Sequence, residues 1–156
     1  MTPDQSAVPE LGSLVIPFPP GWTFEYQDQS PIEGTGPNEE FATISFSEAL
    51  PTVDEEQLRS HFEASASFMK EMLLAVAAER GTPHGGISVL LEEGGRTIYA
   101  MASTTDRGGI QGYFLQYDCV SLRSQHYINI GGQGAIDEAV ATWDDIMRRS
   151  TWAHEA

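Results

Sequence analysis

Hydrophobic residues change their period several times along this chain, and each change marks a predicted element. Leu14, Val15 and Ile16 form a short apolar run that Pro17, Pro19, Pro20 and Gly21 bring to an end. Proline presets φ and removes amide donors, and glycine accepts positive φ, so this cluster is turn chemistry. Trp22, Phe24 and Tyr26 then alternate with Thr23 and Glu25, the period of two of a strand with one apolar face. Pro17 to Pro20 spells P-x-x-P, which on disordered chain would be a docking peptide, but the alternation that follows at once favours a folded domain. Residues 31–39, rich in Gly and Pro, read as a loop, and Phe41, Ile44 and Phe46 mark another strand.

A helical period takes over next. Thr52, with Glu55 three residues on, has the form of a capping box, and Asp54, Glu55 and Glu56 suit the positive end of a helix dipole. Leu58, Phe62, Met69, Leu73 and Val76 recur at helical spacing until Arg80 and Gly81 supply a stop, with Pro83 beyond. About 28 residues would run on the order of 42 Å, so a bend or an earlier end is expected.

Four strands follow. Residues 86–92 and 96–104 are separated by the hairpin sequence Glu93-Gly94-Gly95, and Asp106-Arg107-Gly108-Gly109 turns the chain into residues 111–120. There Tyr113, Leu115, Tyr117 and Cys119 share a face, as do His126, Ile128 and Ile130 in the next strand. Ile136, Ala139, Val140, Trp143, Ile146 and Met147 form one stripe of a closing helix over residues 136–149. Short turns between consecutive strands mean an antiparallel sheet, so the predicted class is α+β, with the sheet flanked by two main helices. Residues 13–152 make a single domain, residues 1–12 a flexible leader and residues 153–156 a tail.

Composition narrows the function classes. A hydrophobic fraction of 40% with 10% aromatics is that of a globular chain. One cysteine, Cys119, cannot form an internal disulfide, which fits a reducing compartment. No apolar run approaches the roughly 20 residues that cross a bilayer, and MTPDQSAVPELGS has neither a basic n-region nor an apolar h-region. The expectation is a soluble cytoplasmic protein. Net charge is −15 and lopsided: the first 58 residues hold eleven acids and no Lys or Arg, while all eight basic residues lie beyond them. Such a field repels nucleic acid and anionic membranes and attracts cationic partners.

Catalytic patterns are weak throughout. Ile130-Gly131-Gly132-Gln133-Gly134-Ala135 lacks the G-x-G-x-x-G spacing and the P-loop lysine, and the acids that follow it would repel phosphate, so a flexible connector is expected. His61, His84, His126 and His154 have no metal-ligand spacing, and no metal or other cofactor is expected. Cys119 reads as a buried, inert thiol and Asp144-Asp145 as a solvated helix face. Asp118, on a central strand, needs a partner if it is covered, and Arg96 or Arg123 are candidates.

The element order, together with Pro19-Pro20-Gly21-Trp22 after the first strand and the aromatics Trp143 and Trp152 near the close, resembles the PsbP-like α/β/α sandwich superfamily over residues 13–152. That resemblance implies a binding scaffold without catalysis. Its members include luminal photosystem proteins, a nuclear Ran-binding factor, bacterial lipoproteins, and adaptor and immunity proteins of type VI secretion. The chain carries no lipobox cysteine and no transit segment near its start, which argues against the lipoprotein and luminal branches.

Charge and resemblance together give the leading expectation: a non-enzymatic bacterial immunity protein that neutralises a basic toxin by occluding its active surface. The partner-binding residues would be Glu25, Tyr26, Asp28, Glu33, Glu39 and Glu40, carboxylates meeting cations beside an aromatic anchor. Two other readings stand beside it. One is an adaptor chaperone for a type VI effector, which needs an exposed apolar groove. The other is a small-molecule or enzymatic site around Tyr99, Asp118 and His126, which needs a pocket with convergent polar groups.

Overall fold

A computed structural model describes residues 9–26, 31–49 and 52–152. In chain order the elements are β1 (Leu14–Val15), β2 (Thr23–Glu25), β3 (Ile32–Thr35), β4 (Phe41–Glu48), α1 (Glu55–Arg80), β5 (Thr82–Pro83), β6 (Ser88–Glu93), β7 (Arg96–Arg107), β8 (Ile110–Val120), β9 (Ser124–Gln133), α2 (Ile136–Arg148) and β10 (Thr151–Trp152). The main sheet has eight strands in the order β2-β3-β4-β9-β8-β7-β5, with β6 lying beside β5 along the outer edge of β7. Every pairing is antiparallel. After β4 the long helix carries the chain to the far edge, and the meander β7-β8-β9 returns it to pair with β4. β1 and β10 form a separate two-stranded clasp, Leu14 opposite Trp152.

The pleat divides the core in two. On one face Ile98, Leu115, Tyr117, Cys119, Ile128 and Ile130 pack under Trp143, Ile146 and Met147 of α2, together with Leu11, Ile16, Phe18 and Trp22 from the first segment. Phe18 meets Phe24 edge-on at 4.9 Å and Trp143 at 5.6 Å, so the proline-rich entrance is part of the core. On the other face a smaller cluster of Leu73, Ala77 and Met101 seats α1. Two side chains of the sheet reach the helix backbone there: Ser103 Oγ donates to Ala77 O at 2.8 Å and Gln116 Nε2 to Leu73 O at 3.0 Å. The result is an α+β sandwich, an antiparallel sheet between two helices, as the sequence predicts.

Several local expectations change. β3 lies inside the segment read as a loop, its apolar Ile32 buried beside Ile44 of β4. The glycine connector is strand: β9 runs on through Gly131 and Gly132, with the ring of Phe41 lying over Gly131 where a Cβ would meet it at 2.3 Å. α1 starts three residues after Thr52; Asp54 takes the N-cap position without a side-chain cap bond, so the capping box does not form. The helix then runs unbroken for 26 residues rather than ending early, because neither Gly nor Pro occurs within it. Leu11 is 1% exposed and bridged to Leu14, so residues 9–12, read as leader, are packed onto the domain. Residues 1–8 of that leader and the tail at 153–156 lie outside the described residues.

Candidate functional site

The two helices do not cover the sheet equally. α1 packs on β5, β7 and β8, so the same face of β2, β3 and the first part of β4 lies outside those contacts. Pleat parity places Thr23, Glu25, Glu33, Thr43 and Ser45 on that open face, while Ser47 borders the space beneath α1. It is polar: Asn129 Nδ2 donates to Thr43 Oγ1 at 3.1 Å, and Phe41 is the large apolar side chain exposed at its border.

Of the six residues expected to bind a partner, the structure brings two, Glu25 and Glu33, together on one face. Glu25 and Glu33 are direct register partners across the β2–β3 edge pair, both exposed, so two like charges stand side by side. Tyr26, 54% exposed, follows Glu25 in the chain but has the opposite pleat parity, and its hydroxyl accepts the Glu10 amide at 2.8 Å. Glu10 is thus a further acid beside Tyr26. It was hidden in the segment read as leader, where only the apolar Leu11 signals that the chain is anchored. Asp28 lies outside the described residues.

Glu39 and Glu40 sit elsewhere, in the turn at the other end of the β3–β4 hairpin. Glu39 has φ of 62° and borders a hollow that also takes in Arg80 and Arg107, so the molecule's own cations lie near it. Glu40 folds over its own turn: Oε1 accepts the Asn38 amide at 3.1 Å while the backbone carbonyl accepts Gly36 N–H at 2.9 Å. Glu40 is therefore a turn-forming residue. The ion pairs Arg59–Glu55 and Arg149–Asp145 and the His84–Asp137 contact leave Glu25 and Glu33 aside.

The cluster imagined around Tyr99, Asp118 and His126 does not converge. Tyr99 and Asp118 are register partners on the α1 face, whereas His126 pairs with Cys119 on the opposite face. There His126 Nε2 bonds Leu11 O at 2.5 Å, with Phe46 stacked on its ring at 5.2 Å. Burial lowers its pKa and outweighs the raising effects of Leu11 O and Glu48. Cys119 is a free, fully buried thiol whose pKa burial raises well above its usual value, which suits an inert core residue.

Asp118 has a different partner from those expected. Arg96 shares parity with Ile98 on the α2 face, where its guanidinium lies over Trp152 at 5.3 Å, so the pleat separates it from Asp118. Arg123 Nη2 instead donates to Val53 O at 3.2 Å. The bond that Asp118 does make is to Gln125 Nε2, at 3.2 Å on Oδ1, and Oδ2 has no partner among the described residues. Desolvation raises the carboxyl to about 6, with the Gln125 bond acting against it.

Asp118 also belongs to the lining of a cavity of about 230 Å³ beneath the first half of α1. Leu58, Phe62 and Met69 descend from the helix, and Tyr99 and Val120 rise from the sheet. The helix closes on the sheet through Leu73 and Ala77 farther along, which leaves this space beneath its earlier turns. Sequence reading found Asp118 but not the cavity, because a helical stripe does not reveal where the helix stands off. Among the described residues there is no group of three or more His, Cys, Asp or Glu side chains placed to hold a metal ion. No described helix is long and apolar enough to cross a membrane.

No family model matches the sequence, and no curated protein matches it. Similarity is found among solved structures. LpqN of Mycobacterium tuberculosis, described as involved in cell envelope biogenesis, superposes with a TM-score of 0.51 at 13% identity, over 96% of this chain and 86% of LpqN. A crystal structure from Bacteroides thetaiotaomicron superposes with a TM-score of 0.50 at 10% identity, over 92% of this chain. The present chain spans about half of that protein, 46% of its length. Cyanobacterial PsbP from Synechocystis overlaps more loosely, with a TM-score of 0.36 at 16% identity over 90% of this chain and 86% of PsbP. At such identities LpqN and the Bacteroides protein share a fold with this chain, and no activity passes between them.

Proposed function

We propose that this chain is a non-enzymatic binding protein whose open sheet face docks a cationic protein, and specifically an immunity protein that neutralises a basic bacterial toxin by steric occlusion. The observation that carries the reading is the Glu25–Glu33 pair. Like charges directly opposed on neighbouring strands are destabilising, and a guanidinium or ammonium laid between them reverses the sign. Tyr26, next to Glu25 in the chain at the same sheet edge, offers an exposed aromatic side chain, a residue type enriched at the hot spots of protein interfaces. The long-range field adds to the local one, since fifteen net negative charges raise the encounter rate with a basic surface. An adaptor chaperone in the type VI system would need a groove of helix width, about 10–12 Å across. The cavity under α1, at about 230 Å³, admits a side chain rather than a helix.

Affinity capture from a bacterial host that carries the gene, with the wild-type chain and with Glu25→Lys/Glu33→Lys as baits, tests the reading. The expected result is a basic protein held by the wild type alone, with a dissociation constant that rises at least tenfold when salt goes from about 0.1 to 0.5 M. Its expression alone should arrest growth, and co-expression of the wild-type chain should restore it. A captured partner bound equally well by the charge-reversed bait, with no salt dependence, would overturn the mechanism. A partner without toxicity would overturn the immunity role while leaving the docking face standing.

A further inference from the structure

The cavity beneath α1 combines two features seldom found together. Its walls are largely apolar, from Leu58, Phe62, Met69 and Val120, and its lining includes one fully buried carboxyl group. Asp118 makes a single hydrogen bond, to Gln125, and Oδ2 is left without a partner among the described residues. A buried polar oxygen in a native core is normally satisfied, and an orphaned one calls for an explanation. Burial without a counter-ion is expensive for a carboxylate, and a bound cation removes most of that expense.

We propose that this cavity is a binding site for a small organic cation, an alkyl- or arylalkyl-ammonium whose apolar body fills the space and whose N–H donates to Asp118 Oδ2. Size agrees with this class. An engineered protein cavity of about 150 Å³ accepts benzene, so about 230 Å³ has room for a six-membered ring carrying an aminomethyl arm. The walls agree as well. The ring of Tyr99, register partner of Asp118, already has the Lys70 ammonium 5.1 Å from its centroid. Other charged groups around the site do not neutralise Asp118. Arg123 and Glu48 line the same cavity; Arg123 Nη2 donates to Val53 O at 3.2 Å, and Glu48 accepts the Ser13 amide at 2.6 Å. Desolvation is the dominant influence on the Asp118 carboxyl, and no cation contributes to its shift. The site is separate from the acidic β2–β3 edge, and the inference does not depend on the proposed docking function.

The test uses benzylammonium and benzyl alcohol as probes of nearly equal shape, followed by amide and side-chain chemical shifts at pH 7.5. Benzylammonium is expected to perturb the signals of Leu58, Phe62, Tyr99 and Val120 and to bind at least tenfold more tightly than the alcohol. Asp118→Asn keeps the Gln125 bond and should abolish that preference, while Glu25→Lys/Glu33→Lys should leave it unchanged. A second measurement needs no change at Asp118. The ammonium's affinity should fall at least fivefold between pH 7.5 and pH 5, as the carboxyl, which burial raises to about 6, becomes protonated. His61 on α1 also lines the cavity, so the fall must persist in His61→Gln. Tyr127, raised to about 12, does not titrate in this range. Equal binding of the two probes, retention of the preference in Asp118→Asn, shifts confined to the Glu25–Glu33 edge, or no binding at all would each overturn the proposal.

Discussion

Asp118 is held in the protonated form more readily than a free carboxylic acid because the folded chain withdraws water from it and returns a single amide donor. Its folded pKa, about 6, lies above the ordinary 3.8, so the folded state binds the proton more tightly than the unfolded state does. The stability it contributes is therefore fully present below about pH 4 and is lost as pH rises through about 6. Asp118→Asn should be more stable than the wild type by on the order of 2 kcal/mol at pH 8 and nearly equal to it at pH 4. Urea unfolding at the two pH values measures this. His126 acts with the opposite sign, since burial lowers its pKa from 6.5 and its neutral form is lost as pH falls. The difference between wild type and variant isolates the carboxyl from the imidazole. A variant no more stable than wild type at pH 8 would mean that water reaches the carboxylate.

At the scale of elements, the junction of α1 and β5 has little freedom. A Cβ on Gly81 would stand 2.0 Å from the carbonyl oxygen of Thr104, a backbone atom fixed in the β5–β7 ladder. Gly81→Ala should cost about 2–4 kcal/mol, measured by chemical denaturation, with the loss centred on hydrogen exchange at Thr82 and Thr104. The same elements show why some of the architecture is legible in the sequence and some is not. The β6–β7 turn is legible because Gly94 and Gly95, both at positive φ, satisfy a two-residue hairpin by themselves. The strand at Gly131 and Gly132 is not, because its ladder is covered by Phe41 and Tyr113 from other strands. β3 is hidden for a similar reason: Gly34 sits in a strand because Phe24 lies over it. For the candidate site, alternation around Glu25 reveals which side chains face outward. It does not reveal that Glu33 stands opposite, because register depends on a turn that carries no simple signature.

For the whole molecule, fifteen uncompensated negative charges act as an internal pressure on the compact state. Salt relieves it by shortening the screening length from about 10 Å at 0.1 M to about 3 Å at 1 M. The thermal midpoint should rise by several degrees over that interval, about 2–4 °C for each kcal/mol gained. Glu25→Lys/Glu33→Lys should rise less, having removed part of the repulsion beforehand. Calorimetry in sodium chloride checks both, and a flat midpoint would show that the charges are spaced too widely to interact.

The clasp between β1 and β10 has a mechanical corollary. Because the pairing is antiparallel and Leu14 faces Trp152, the chain enters and leaves this pair on the same side. A pull on the segments preceding Leu14 and following Trp152 therefore loads the backbone bonds one after another, as a zipper opens, instead of shearing them together. In an optical trap this corner should yield at low force once Leu11 is drawn from its seat against His126, baring the indole of Trp152 while the eight strands behind it remain intact.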